Sequence, residues 1–122
     1  MTHIAAAGLS NTCTLLIASA NIGFVTEAEQ ERIRNARVFV CGIGGMGGAC
    51  VLSLVRAGVG HVTIADIDRF EVSNLNRQVF AFLGTIGVEK TEAVRRQLLT
   101  INPGLDVEVY NDDWVSRLDD LL

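Results

Sequence analysis

Between Ala36 and Gly42 the chain reads Ala-Arg-Val-Phe-Val-Cys-Gly, an almost unbroken apolar run closed by glycine. A strand buried in a parallel sheet reads this way, because both of its faces are covered. A second run of the same character extends from His61 to Asp66. Between the two, Ala49, Leu52, Val55 and Arg56 recur at helical spacing, which predicts a helix from Gly47 to Ala57 ended by Gly58 and Gly60. Upstream, Thr26-Glu27-Ala28-Glu29 has the form of a capping box and starts a helix that continues through Glu31, Ile33 and Arg34. Downstream, Val94, Leu98 and Ile101 share one face of a helix predicted over about Val88 to Thr100, and Asn102-Pro103-Gly104 stops it. Asp106 to Tyr110 alternates polar and apolar residues as a third strand, and Trp114 to Leu122 begins a further helix. Strand, helix, strand, loop, helix, strand predicts an α/β fold. It would be a Rossmann-like parallel sheet with helices on both faces, reading as truncated after the third strand. One domain would cover residues 24–122, after a weakly specified leader over residues 1–23.

Composition narrows the class. The 122 residues suit one modest domain, and 49% hydrophobic with 20% charged residues predicts a folded chain with a core. A net charge of -4 argues against DNA or an anionic membrane as the partner. Cys13, Cys41 and Cys50 contain no Cys-x-x-Cys pair and build neither a disulfide framework nor a four-cysteine zinc site, which fits a reduced, cytoplasmic setting. On the same reading Cys41 and Cys50 are small core residues, and His61 is structural. Residues 13–20 are apolar and end in Ala18-Ser19-Ala20, as a secretory signal can. No Lys or Arg precedes Arg32 and the run is too short to span a membrane, so export is not expected.

The chemistry gathers after the first strand. Gly42-x-Gly44-x-x-Gly47 lies between a predicted strand and a predicted helix. In that context glycines allow a tight turn and let backbone N–H groups approach phosphate at the positive end of the helix. Gly45 makes the loop smaller still. Asp66 closes the second strand 19 residues after Gly47 and is placed to accept ribose hydroxyls, of NAD or of ATP alike. Asp68 follows on the same side of an extended chain, as a ligand group or as a cap of the loop. The polar run Ser73, Asn74, Asn76, Arg77 and Gln78 is more than a simple dinucleotide fold needs. Arg77 offers a planar fork of donors suited to phosphate, and Lys90 lies in the first turn of the third helix, at the edge where open α/β sheets bind ligands. Two cations beside a glycine loop favour a triphosphate over nicotinamide, whose chemistry needs a planar, largely uncharged pocket.

The segments RVFVCGIGGMGG, AGVGHVTIADID, VSNLNRQVF, GVEKTEAV and INPGLDV resemble the nucleotide-binding half of the ThiF/MoeB/HesA family, relatives of ubiquitin-activating enzymes. The resemblance covers residues 24 to 112. Its most specific part is the ordered set Asp-x-Asp, Ser-Asn-x-x-Arg-Gln, Gly-x-x-Lys and Ile-Asn-Pro. It implies an ATP-dependent adenylyltransferase working with magnesium. The substrate would be a carboxylate: the C-terminus of a ubiquitin-like sulfur-carrier protein, or a carboxylated tRNA base. By position, Gly45 would approach the phosphates, Asp66 the ribose, and Asn74 and Asn76 the nucleotide. Arg77 and Lys90 would be the catalytic pair, holding the phosphates. The full-length form would be a homodimer.

Departures from the family pattern accompany the resemblance. Ala20 stands where an arginine is usual, no zinc-binding Cys-x-x-Cys pairs are present, and the Asp-rich segment that organises magnesium would lie beyond Leu122. The sequence therefore predicts a catalytically incomplete chain and leaves two further readings open. One is a non-catalytic ATP-binding fragment or partner subunit, and the other is an NAD-binding oxidoreductase domain.

Overall fold

The computed structural model describes Asn21 and residues 23–121. The leader predicted for the N-terminus lies almost wholly outside the described residues. Helix α1 (Glu27–Asn35) starts at the expected capping box: the Thr26 hydroxyl accepts from the Glu29 N–H, and the Glu29 carboxylate accepts from the Thr26 N–H. Strand β1 (Arg37–Cys41) leads through the glycine loop into α2 (Gly45–Arg56), and β2 (His61–Ala65) follows. A long loop with two short 3₁₀ turns, Val72–Asn74 and Leu83–Thr85, precedes α3 (Lys90–Ile101) and β3 (Asp106–Tyr110). Trp114–Arg117 is a 3₁₀ turn running into α4 (Leu118–Leu121).

The three strands are parallel in the order β1-β2-β3, and His61 pairs with Arg37 on one side and Asp106 on the other. Two crossovers moving in the same direction across a sheet, both right-handed, place their helices on one face. That face carries the core. Val40, Val62 and Ile64 pack with Val51 and Val55 of α2 and with Ala93, Val94 and Leu98 of α3. On the other face Trp114 stands edge-on to Phe39, with ring centroids 6.4 Å apart.

The pleat corrects one expectation. β1 is half-buried to exposed except at Val40, although its apolar run predicts burial on both faces. Phe39 and Cys41 point away from the crossover helices, so Cys41 is exposed rather than a core residue. Cys50 is exposed as well, on α2, whose buried residues are Gly48, Val51 and Val55. Partial desolvation still pushes the Cys41 thiol above its ordinary value, which disfavours a reactive thiolate. Among the described residues no helix is long and apolar enough to cross a membrane.

Candidate nucleotide site

The glycine loop is shaped by backbone requirements at two positions. Gly42 has φ of 77°, in the left-handed region, and a Cβ built on Gly47 would lie 1.7 Å from the Gly42 carbonyl oxygen. These two glycines serve the fold. Gly44 and Gly45 are different. A Cβ on Gly44 would meet only the Gln78 amide, at 3.7 Å, and one on Gly45 only Arg77, also at 3.7 Å from its Cγ. Neither position needs glycine for room within the protein, so the smallness there is available to a ligand.

Those two contacts bring the polar run onto the loop, as its composition suggests. Arg77 is exposed, and its Nη1 donates to the Ser73 carbonyl oxygen at 3.1 Å and to Asn76 Oδ1 at 3.0 Å. Ser73 and Asn76 thus orient the guanidinium. Nε and Nη2 have no acceptor among the described residues, which leaves half of the fork for an anion. Gln78 is buried, and its Oε1 has no hydrogen-bond partner among the described residues. A buried acceptor left unpaired is unfavourable by roughly 1–3 kcal/mol. Asn74 is also buried, but its Oδ1 takes the Glu71 N–H at 2.9 Å, closing the turn that presents Arg77.

Asp66 holds the loop from the other side. Its Oδ2 accepts the Ile43 N–H at 2.9 Å and its Oδ1 the Asp68 N–H at 2.8 Å. The sequence marks Asp66 as a ribose acceptor. The structure adds a strap from the end of β2 to the glycine loop, and a carboxylate with two bonds still has acceptor capacity. No sequence signal announces the strap, because the Asp66 carboxylate and the Ile43 backbone N–H are 23 residues apart.

Lys90 is the first residue of α3, which starts two residues after the expected Val88 and keeps Lys90 in its first turn. Its side chain is only 8% exposed, and its nearest carboxylate is Asp68 Oδ2 at 4.0 Å, on a side chain that is 68% exposed. The Nζ lies 5.7 Å from the centre of the buried Phe70 ring. An ammonium so enclosed, with one loose counter-ion facing solvent, is electrostatically under-compensated and favours a further anion. The glycine loop, Asp66, Asp68 and Lys90 are therefore linked by successive contacts along the carboxyl edge of the sheet, with Arg77 and Gln78 packed on the loop. His61 is elsewhere. It sits at the start of β2, with Nδ1 3.1 Å from Asp106 Oδ2, in a groove of about 340 Å³ that also includes Arg37 and Glu108.

Comparison with known proteins places the chain in a family. Residues 18–122 match the model of the ThiF family. Ubiquitin-like modifier-activating enzyme 5 of Caenorhabditis elegans is 38% identical, over 89% of this chain and 27% of that protein. Molybdopterin-synthase adenylyltransferase of Salmonella typhimurium is 43% identical, over 75% of this chain and 35% of that protein. The chain thus spans about a quarter to a third of the length of these curated relatives. Among solved structures, E. coli tRNA N6-threonylcarbamoyladenosine dehydratase in complex with ATP superposes with a TM-score of 0.76 at 30% identity, covering 86% of this chain and 44% of that one.

Proposed function

The chain belongs to the ThiF family, and from that premise we propose that it is the nucleotide-binding part of an ATP-dependent adenylyltransferase that activates a carboxylate. The observation that carries this reading is Arg77, whose stem lies beside Gly45 and whose fork is half-satisfied, on the loop that Asp66 straps to β2. In the proposed reaction a carboxylate oxygen of the substrate attacks the α-phosphorus of ATP. The bond from that phosphorus to the bridging oxygen breaks, and pyrophosphate leaves with the electron pair. Arg77 and Lys90 hold the phosphates and offset the charge that builds up on them. Asp66 accepts from the ribose, and the buried Gln78 amide meets the nucleotide beside Gly44.

The residues fit the ligand. The absence of any clash for a Cβ at Gly44 or Gly45, together with the orphaned Gln78 Oε1, suits a site that takes a polar molecule. Among the described residues no group of three His, Cys, Asp or Glu side chains is arranged to hold a metal ion. Magnesium is accordingly proposed to enter with ATP, bound to its phosphates. For the acyl substrate we favour the C-terminus of a ubiquitin-like sulfur carrier, or a tRNA base carboxylate. A ubiquitin-like modifier and a tRNA appear in the names of two of the relatives above.

ATP binding by the 122-residue chain tests the reading, alongside ATP–pyrophosphate exchange in the presence of a carrier protein with a free C-terminal glycine. Saturable ATP binding that weakens in Arg77→Ala is the expected result, with no more than slight exchange, because the sequence predicts a catalytically incomplete chain. Robust carrier-dependent exchange would overturn that incompleteness, and a chain that does not bind ATP would overturn the reading itself.

A further inference from the structure

Glu89 occupies the N-cap position of α3, yet its side chain makes no capping hydrogen bond. The carboxylate turns sideways instead. Its Oε1 accepts from Arg69 Nη2 at 3.1 Å, and its Oε2 accepts from Asn111 Nδ2 at 2.9 Å. Arg69 belongs to the segment that leaves β2, and Asn111 follows the last residue of β3. One carboxylate therefore ties the start of α3 to the carboxyl ends of two strands.

The backbone repeats the tie. Phe70 N–H donates to the Val88 carbonyl at 3.0 Å, Gly87 N–H to the Phe70 carbonyl at 2.8 Å, and Lys90 N–H to the Asp68 carbonyl at 3.0 Å. Arg69 and Glu89 form the antiparallel bridge at the centre of this ladder, and Arg69 Nη1 also donates to the Gly87 carbonyl at 3.0 Å. The residue delivered by the arrangement is Lys90, whose ammonium lies over the Phe70 ring and 4.0 Å from Asp68 Oδ2.

We propose that Arg69, Glu89 and Asn111 are positioning residues that fix Lys90 against the nucleotide phosphates. The proposal rests on the ATP-binding reading above. A helix start without a side-chain cap is free to fray by a residue. A shift of about 1 Å in a charged group is enough to weaken its hold on a phosphate. The lateral bonds of Glu89 remove that freedom without placing a second group in the site.

Electrostatics makes the test decisive, because positioning and simple charge predict opposite signs. Glu89→Gln removes a negative charge next to the residue that meets an anionic ligand, so Coulomb's law alone predicts tighter ATP binding. Positioning predicts weaker binding, by about threefold to tenfold, the fold-change equivalent of one displaced hydrogen bond. Asn111→Ala, which alters no charge, should weaken ATP to a similar degree, and Arg69→Lys should retain most of the affinity. ATP is titrated calorimetrically into the 122-residue chain and each variant, with thermal melting of the apo forms alongside. In a Lys90→Ala background, Glu89→Gln should have no further effect on ATP, while any effect on melting persists. Unchanged or tighter binding in Glu89→Gln would overturn the positioning role. A weakening that survives undiminished in the Lys90→Ala background would overturn it too. A wild-type chain that does not bind ATP would overturn the ATP reading itself, and this proposal with it.

Discussion

The glycine loop separates structural from ligand-facing glycines residue by residue. Gly47 lies within α2, where alanine has the higher helix propensity by about 1 kcal/mol. A Cβ 1.7 Å from a backbone oxygen outweighs that gain, because the turn itself must move. Gly47→Ala is therefore expected to lower folding stability by more than about 3 kcal/mol, read by denaturant or thermal unfolding. Gly45→Ala has room, so its melting temperature should stay within a few degrees of wild type while ATP binding weakens. If Gly45→Ala unfolds the chain and Gly47→Ala does not, the division of roles is reversed. The sequence shows that the glycines form a phosphate-loop pattern, but it cannot show which of them have a backbone atom opposite. The same limit applies to Gln78 and Asp66: their polarity is visible in the sequence, whereas the unpaired Oε1 and the strap to Ile43 exist only once residues far apart meet.

Elements were more legible than their faces. All three strands and the helices leading to the site fall within a few residues of their sequence-based bounds, because glycine, proline and capping signals mark their ends. What the apolar run of β1 does not reveal is that only its Val38 and Val40 side meets the crossover helices. Nor does it reveal that Asn21 and Gln30 both donate to the Ala57 carbonyl and thereby hold α1 against the end of α2. At the start of α1 the capping box is legible and testable. The Thr26 backbone and side chain lower the Glu29 carboxyl below its ordinary value, the backbone bond contributing most. A carboxyl lowered in the folded state adds stability that is complete above its ordinary value. That stability is lost as pH falls through the lowered one. Thr26→Ala should weaken the cap by roughly 1 kcal/mol near neutral pH. It should move the Glu29 titration, followed by NMR, part of the way back toward the ordinary carboxylate range, because the larger contribution comes from a backbone N–H that alanine retains. A Glu29 titration unchanged by Thr26→Ala would show that the Thr26 hydroxyl does not bond Glu29.

At the scale of the molecule, topology turns scattered residues into one site. A parallel sheet delivers the glycine loop, Asp66 and Asn111 to the same edge, and the helix that follows the long loop begins there with Lys90. Fold and family were readable because the motifs occur in order along the chain. The Arg69–Glu89–Asn111 tie was not, since its partners are about 20 residues apart and carry no periodic signal. The account stands on one claim, that this edge holds a nucleoside triphosphate rather than a dinucleotide. Parallel calorimetric titrations of the chain with magnesium-ATP and with NAD test it most directly, each repeated on Arg77→Ala. The expected result is saturable ATP binding, weakened by roughly 1.5–3 kcal/mol in Arg77→Ala with no change in apo melting, and no matching NAD response. Saturable NAD binding with no heat from ATP would contradict it.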